Sequence, residues 1–251
     1  MPHSGQTGIV INSDRYRLLG RLFLAQGDDP KPTALILHGI PGIEQNYDIA
    51  LMLRESGWNS VIFHYRGCWG SEGNYVLKTI PTDVRAAVDF LSNGTYPQID
   101  SERLIVIGHS LGGWATVLGA VDDTRLRAVV AISAVTEPRE PPYFDVVYAE
   151  ENFSPWLNGI TPEEFDRQWK ELDAEYSAVE QVARISPRPL LILHAEHDDD
   201  VPLSQSQALY ECAKEPRQLV IHPEANHSFT WHREWLRDQI LKWITNIFIL
   251  S

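Results

Sequence analysis

The chain has 251 residues, 43% of them hydrophobic and 22% charged, with a formal net charge of −13. This fits one packed domain of the α/β type and excludes a disordered chain. The negative field repels phosphate backbones and anionic lipid, so nucleic acid and membrane surfaces are not expected partners.

The opening MPHSGQTGIV has neither the positive start nor the apolar stretch of a signal peptide. Residues 8–25 alternate roughly and break near Asp14, which predicts a β-hairpin. TALILHG (33–39) is an apolar run ending in glycine, as a buried strand does, and YDIALMLRESG (47–57) reads as a helix stopped by Gly57. SVIFHY (60–65) is the next strand. Val84, Ala87, Val88 and Leu91 recur at helical spacing, so 82–93 is an amphipathic helix. RLIVIG (103–108) is a strand, LGGWATVLGAV (111–121) a helix of small residues and LRAVVAIS (126–133) a strand. PLLILH (189–194) and QLVIH (218–222) are further strands, and Leu236, Ile240, Trp243 and Ile247 mark a closing helix.

Apolar strands alternating with helices imply a parallel sheet covered on both faces, with the site at the carboxyl ends of its strands. Residues 136–186 break the alternation and are too long for an ordinary loop. They predict a lid inserted between two strands. Its aromatics include Tyr143, Phe144, Phe153, Trp156, Phe165 and Trp169, and its acidic side (Glu163, Glu164, Asp166, Glu171, Asp173) is expected to face water. A structural excursion unrelated to any site, and a surface for self-association, are the alternatives. No apolar run approaches the roughly 20 residues of a membrane span. Cys68 and Cys212 form no disulfide framework and predict reduced thiols in a cytoplasmic protein.

Gly108-His109-Ser110-Leu111-Gly112 has the G-x-S-x-G form between a predicted strand and a predicted helix. A sharp turn there exposes the serine at the tip of the sheet, and the following helix offers free N–H groups to a developing anion. Ser110 is therefore the candidate nucleophile. His227, in HPEANHSF between the last strand and the last helix, is the candidate base, whereas His222, His38 and His64 read as structural and His109 as pointing away from substrate. The stretch AEHDDDVP supplies Glu196, Asp198, Asp199 and Asp200, one of which would orient the histidine. A metal site on His194, His197 and these aspartates lacks a suitably spaced third histidine, so neither metal nor cofactor is expected. In LHGIPG (37–42) the glycines let the backbone curl so that the Ile40 N–H points into the site, with the Leu111 N–H as the second oxyanion donor.

The order Ser, Asp, His with an upstream HG loop resembles the α/β-hydrolase superfamily over nearly the whole chain. HGIPG resembles its oxyanion loop, GHSLGG its nucleophile elbow and ANHSF its histidine segment. AEHDDDVP resembles its G-x-x-D-x-x-V-P acid loop with Ala195 for glycine, an alignment that selects Asp198. YRGCWGSEG (65–73) resembles its R-G-x-G-x-S-x-G segment, with one extra residue among Cys68 and Trp69. The likeness is greatest to small bacterial esterases and the hydrolase domains of serine peptidases, and extends to feruloyl esterases and monoacylglycerol lipases. It implies an α/β-hydrolase fold with an antiparallel N-terminal hairpin, and a cofactor-free serine esterase acting on a small-molecule ester. Peptidase, amidase or acyl-transfer chemistry on the same residues, and a non-catalytic binder on this fold, are the alternatives. Trp69, Phe153 and Trp156 are the expected walls of an apolar or aromatic acyl pocket.

Overall fold

The computed structural model describes residues 5–43, 46–137 and 151–249. Strands β1 (Gly5–Ser13) and β2 (Tyr16–Leu24) form the hairpin, which turns at Asp14 with a positive φ of 52°. Six strands follow: β3 (Lys31–Leu37), β4 (Asn59–Phe63), β5 (Ile99–His109), β6 (Leu126–Ile132), β7 (Leu190–Ala195) and β8 (Arg217–His222). They pair in the order β1-β2-β4-β3-β5-β6-β7-β8, antiparallel across the first three strands and parallel from β4 onward. The strand order reverses around β3, so the carboxyl ends of β3 and β5 flank the crevice where such sheets bind ligands.

Alternate residues of each central strand feed two cores. Leu35, Leu37, Val106, Val129 and Ala131 face α2 (Ile80–Ser92) and α3 (Leu111–Asp122). Ile36, Ile105, Ile107, Val130 and Ile132 face α1 (Tyr47–Glu55) and the closing helix. The predicted α2 stripe of Val84, Ala87, Val88 and Leu91 is buried throughout. Helix α3 is buried almost all round, which accounts for its run of small residues.

Between β6 and β7 the described residues fold as short helices, chiefly α4 (Pro162–Lys170) and α5 (Ala178–Gln181). Thr161 caps α4, its hydroxyl oxygen accepting from the Glu164 N–H at 3.2 Å, and Pro162 opens the helix. Phe165, Gln168 and Trp169 are buried while Glu163 and Glu171 are exposed, giving α4 the two-sided character its sequence predicts. Tyr143 and Phe144 lie outside the described residues.

Two sequence expectations change. Helix α6 (Leu203–Cys212) has no counterpart in the predicted elements, because its inward face is largely polar: Gln205 and Ser206 are buried beside Leu209. Gln205 explains its own burial, since its carbonyl oxygen accepts from the Thr136 N–H at 2.7 Å. In the closing helix α7 (Arg233–Ile249) the buried seam is Leu236, Ile240 and Ile244, while Trp243 and Ile247 are only partly buried. Among the described residues no helix is long and apolar enough to cross a membrane.

Candidate active site

Strand β5 ends at His109 and α3 begins at Leu111, so the whole turn is one residue, Ser110. Its φ of 58° and ψ of −123° fall where side chains rarely go, a strained conformation that costs on the order of 1–3 kcal/mol and is held by its surroundings. Here the hold is visible. The Ser110 N–H donates to Ile132 O at 2.9 Å, and its carbonyl accepts from Gly113 at 2.9 Å and Val135 at 3.1 Å. A Cβ on Gly108 would come within 2.0 Å of Gly112 O, and one on Gly112 within 2.2 Å of Leu37 O, so both positions admit only glycine.

The β3 loop lies against this serine. A Cβ on Gly39 would sit 2.9 Å from Ser110 Cβ and 3.4 Å from its Oγ. A cavity of about 240 Å³ joins the pieces, lined among others by Ile40, Gly42, Ser110, Asp200 and His227. Leu111, as the first residue of α3, carries one of the N–H groups that a helix leaves without an intrahelical acceptor.

His227 Nδ1 lies 2.8 Å from Asp198 Oδ2 and 3.0 Å from Oδ1. A carboxylate facing Nδ1 fixes the proton there, so Nε2 is the ring nitrogen that accepts one. The Asp198 side chain is fully buried, and its Oδ1 also accepts from the N–H groups of Asp200 (3.0 Å) and Val201 (2.7 Å). Burial alone would raise its pKa; the His227 bond and charge and the Val201 N–H outweigh it and hold the carboxyl below its usual value. The structure thus brings Asp198, of the three adjoining aspartates, to His227.

Other polar groups hold these parts in place. His109 Nε2 donates to the His227 carbonyl at 2.9 Å, and burial presses its pKa down to about 3, so the ring is a neutral donor. His194, buried behind the acid, donates from Nε2 to Val201 O at 3.0 Å and therefore accepts at Nδ1 from the Ser206 hydroxyl at 2.7 Å. Both ring nitrogens are engaged, and among the described residues no group of three His, Cys, Asp or Glu side chains is arranged to hold a metal ion. Arg233 donates to Ser228 O at 3.2 Å and to Asp48 Oδ2 at 2.9 Å, tying the histidine loop to α1. No sequence signal reveals Arg233, whose partner is 185 residues away.

Trp69, Phe153 and Trp156 are not among the residues lining the 240 Å³ cavity. Phe153 is 4% exposed and packs on Phe165 with ring centroids 5.5 Å apart, inside the β6–β7 segment's own core. Trp156 is 41% exposed and stacks on Trp69 at 4.7 Å with ring planes 16° apart. Backbone pairing of Cys68 with Leu157, and the Asn158 N–H donating to Gly67 O at 2.7 Å, stitch this segment to the Arg66–Gly73 loop.

Residues 48–249 match the model of the Prolyl oligopeptidase family. Protein YfhR of Salmonella typhi, itself uncharacterized, is 29% identical over 208 residues, covering 78% of this chain and 64% of that protein. Lysophosphatidylserine lipase ABHD12 of Danio rerio is 31% identical over 208 residues, covering 76% of this chain and 50% of that protein. The chain therefore spans half to about two thirds of the length of these two relatives. Est1E from Butyrivibrio proteoclasticus, solved with ferulic acid bound, shares the fold with a TM-score of 0.77 at 21% identity, covering 95% of this chain and 98% of that one. With the match running from the first helix to the last, the chain belongs to the prolyl oligopeptidase family and is a serine hydrolase on the α/β-hydrolase fold.

Proposed function

We propose that the protein hydrolyses carboxylic esters through an acyl-enzyme on Ser110. His227 takes the Ser110 proton as the hydroxyl oxygen attacks the carbonyl, and returns it to the leaving alcohol. Asp198 holds the imidazole tautomer and stabilises its charged form. The N–H groups of Ile40 and Leu111 receive the oxyanion, after which water, deprotonated by His227, releases the acid. The observation that carries this reading is the strained Ser110 backbone, stored beside a His227–Asp198 pair that opens on the same cavity.

The β6–β7 segment is proposed as a cap above Ser110, with Trp156 and Trp69 as an aromatic wall for the acyl group. The exposure of Trp156 supports this. Phe153 would contribute indirectly, by packing on Phe165 within the segment's core. An ester with an apolar or aromatic acyl group fits such a wall, and the lipase name of the Danio rerio relative and the ferulic acid in Est1E point the same way. Amide or peptide cleavage by the same residues is the second reading, favoured by the family's name. Turnover of p-nitrophenyl acetate, longer p-nitrophenyl esters and a prolyl p-nitroanilide by wild type and Ser110→Ala tests both. Ester turnover lost in the variant supports the proposal; anilide turnover far above ester turnover replaces it with the second; a variant that keeps most of its ester rate refutes it.

A further inference from the structure

Trp69 Nε1 lies 2.6 Å from the carbonyl oxygen of Pro41, the residue after Ile40. An indole N–H can only donate, so this is a directed bond from the β4 loop to the β3 loop. A second bond grips the same loop on its other side. His38 Nδ1 lies 2.7 Å from Gly39 O and must donate to it, and burial pushes the ring's pKa down to about 3, so it is neutral. The carbonyls on both sides of Ile40 are thus turned onto fixed donors. Between them Gly42, at a φ of 94°, is so tightly flanked that a Cβ there would lie 2.8 Å from both Trp69 Nε1 and the His38 ring.

Trp69 is itself held firmly. Three residues before it, Arg66 is clamped by the fully buried Asp83, with Nε to Oδ1 at 2.9 Å and its own N–H to Oδ2 at 2.9 Å. Two residues after it, Ser71 Oγ donates to His64 O at 2.8 Å and accepts from the Leu19 N–H at 2.9 Å. One face of the indole is stacked on Trp156. The left-handed backbone at Trp69, with φ 49°, aims the side chain from this frame.

We propose that Trp69 is a positioning residue for oxyanion stabilisation: its indole N–H fixes the Gly39–Gly42 loop so that the Ile40 N–H is aimed before the oxyanion forms. A preorganised donor needs no reorientation as charge develops, and misplacement by an ångström costs on the order of a hundredfold. This rests on the ester-hydrolase reading and adds to it. As a wall Trp69 acts through its ring surface on substrate binding and acyl preference; as a loop anchor it acts through its N–H on kcat for every ester alike.

The experiment compares wild type, Ser110→Ala, Trp69→Phe and a protein carrying 3-benzothienylalanine at position 69. The last keeps the shape of the indole and replaces its N–H by sulfur. Each is assayed with acetyl and octanoyl p-nitrophenyl esters and for inhibition by a trifluoromethyl ketone, whose hemiketal mimics the oxyanion. With Ser110-dependent turnover established in the wild type, both Trp69 replacements are expected to lower kcat roughly tenfold or more for both esters. In the benzothienyl protein, whose ring keeps the wall, KM should stay within about twofold, and the inhibitor should weaken by the same factor as kcat. An unchanged kcat, or a changed octanoyl-to-acetyl ratio without a fall in kcat, overturns the inference and leaves the hydrolase reading intact. Wild-type turnover that does not depend on Ser110 removes both. Should Trp69→Phe unfold, the benzothienyl protein decides alone.

Discussion

His109 Nε2 bonds the carbonyl oxygen of His227 at 2.9 Å, and the two rings lie 4.7 Å apart. The residue preceding the candidate nucleophile therefore holds the backbone of the candidate base, across 118 positions of sequence. His109→Phe keeps a ring and loses the donor. It is expected to lower kcat by about tenfold with little change in KM, as loosening of the base relative to Ser110 would do. His109→Gln, which restores an N–H donor, should recover part of the loss.

Asp198→Asn should lower kcat roughly 10³- to 10⁴-fold, because an amide in place of the carboxylate misassigns the His227 tautomer and leaves its positive charge unpartnered. Asp199→Asn and Asp200→Asn should each stay within about tenfold, since the Asp200 contribution to the acid loop is its backbone N–H, which the substitution keeps. Steady-state kinetics of the three variants checks this.

The pair Arg66–Asp83 is a structural anchor with its acid fully buried and its base 8% exposed. Ser13 Oγ donates to the same carboxylate at 2.7 Å, joining the hairpin to the loop that carries Trp69. Asp83→Ala leaves the buried guanidinium with only the exposed Asp14 carboxylate, at 3.0 Å, as a charged partner and should cost about 3–5 kcal/mol of stability, read from chemical denaturation.

Much of this architecture is legible in the chain. The central strands are continuous apolar runs because both of their faces are covered, and the G-x-S-x-G turn announces itself between strand and helix. Helix α6 is not legible, because Gln205 and Ser206 are buried by hydrogen bonding and leave no apolar period. The seam of α7 runs to Ile244 because Leu236, Ile240 and Ile244, at i, i+4 and i+8, share the face packed in the core with α1, while Trp243 and Ile247 are only partly buried. Among the aspartates, only the Val201-Pro202 register distinguishes Asp198 in sequence; in space it is the one whose Oδ1 closes the turn on Val201. The donors from His109, Trp69 and Arg233 were invisible, since each acts on a backbone carbonyl or a distant acid, and a carbonyl has no sequence signature.

Acid should destabilise the protein well above the carboxylate range. Burial holds His38 and His109 down to about 3 and His64 to about 4, so all three are neutral in the folded protein at pH 5. In the unfolded chain they take protons at about pH 6.5, so the unfolded state binds more protons. Their contribution is complete above that value and is lost as pH falls from it toward the folded values, at about 1.4 kcal/mol per pH unit per group once the unfolded form is protonated. Asp198, whose pKa is lowered, adds a loss only as pH falls below its ordinary value of about 4. The urea midpoint should therefore drop between pH 7 and pH 5; a flat midpoint over that interval would contradict the assignment.

The central claim is that Ser110 is the atom-bearing centre of an acyl transfer, and trapping the acyl group tests it most directly. Wild type mixed with a p-nitrophenyl ester, quenched in acid within the first turnovers and digested, should carry the acyl group on the peptide containing Ser110, with Ser110→Ala carrying none. An acyl group found on another residue, or turnover with no covalent species and no dependence on Ser110, would contradict it.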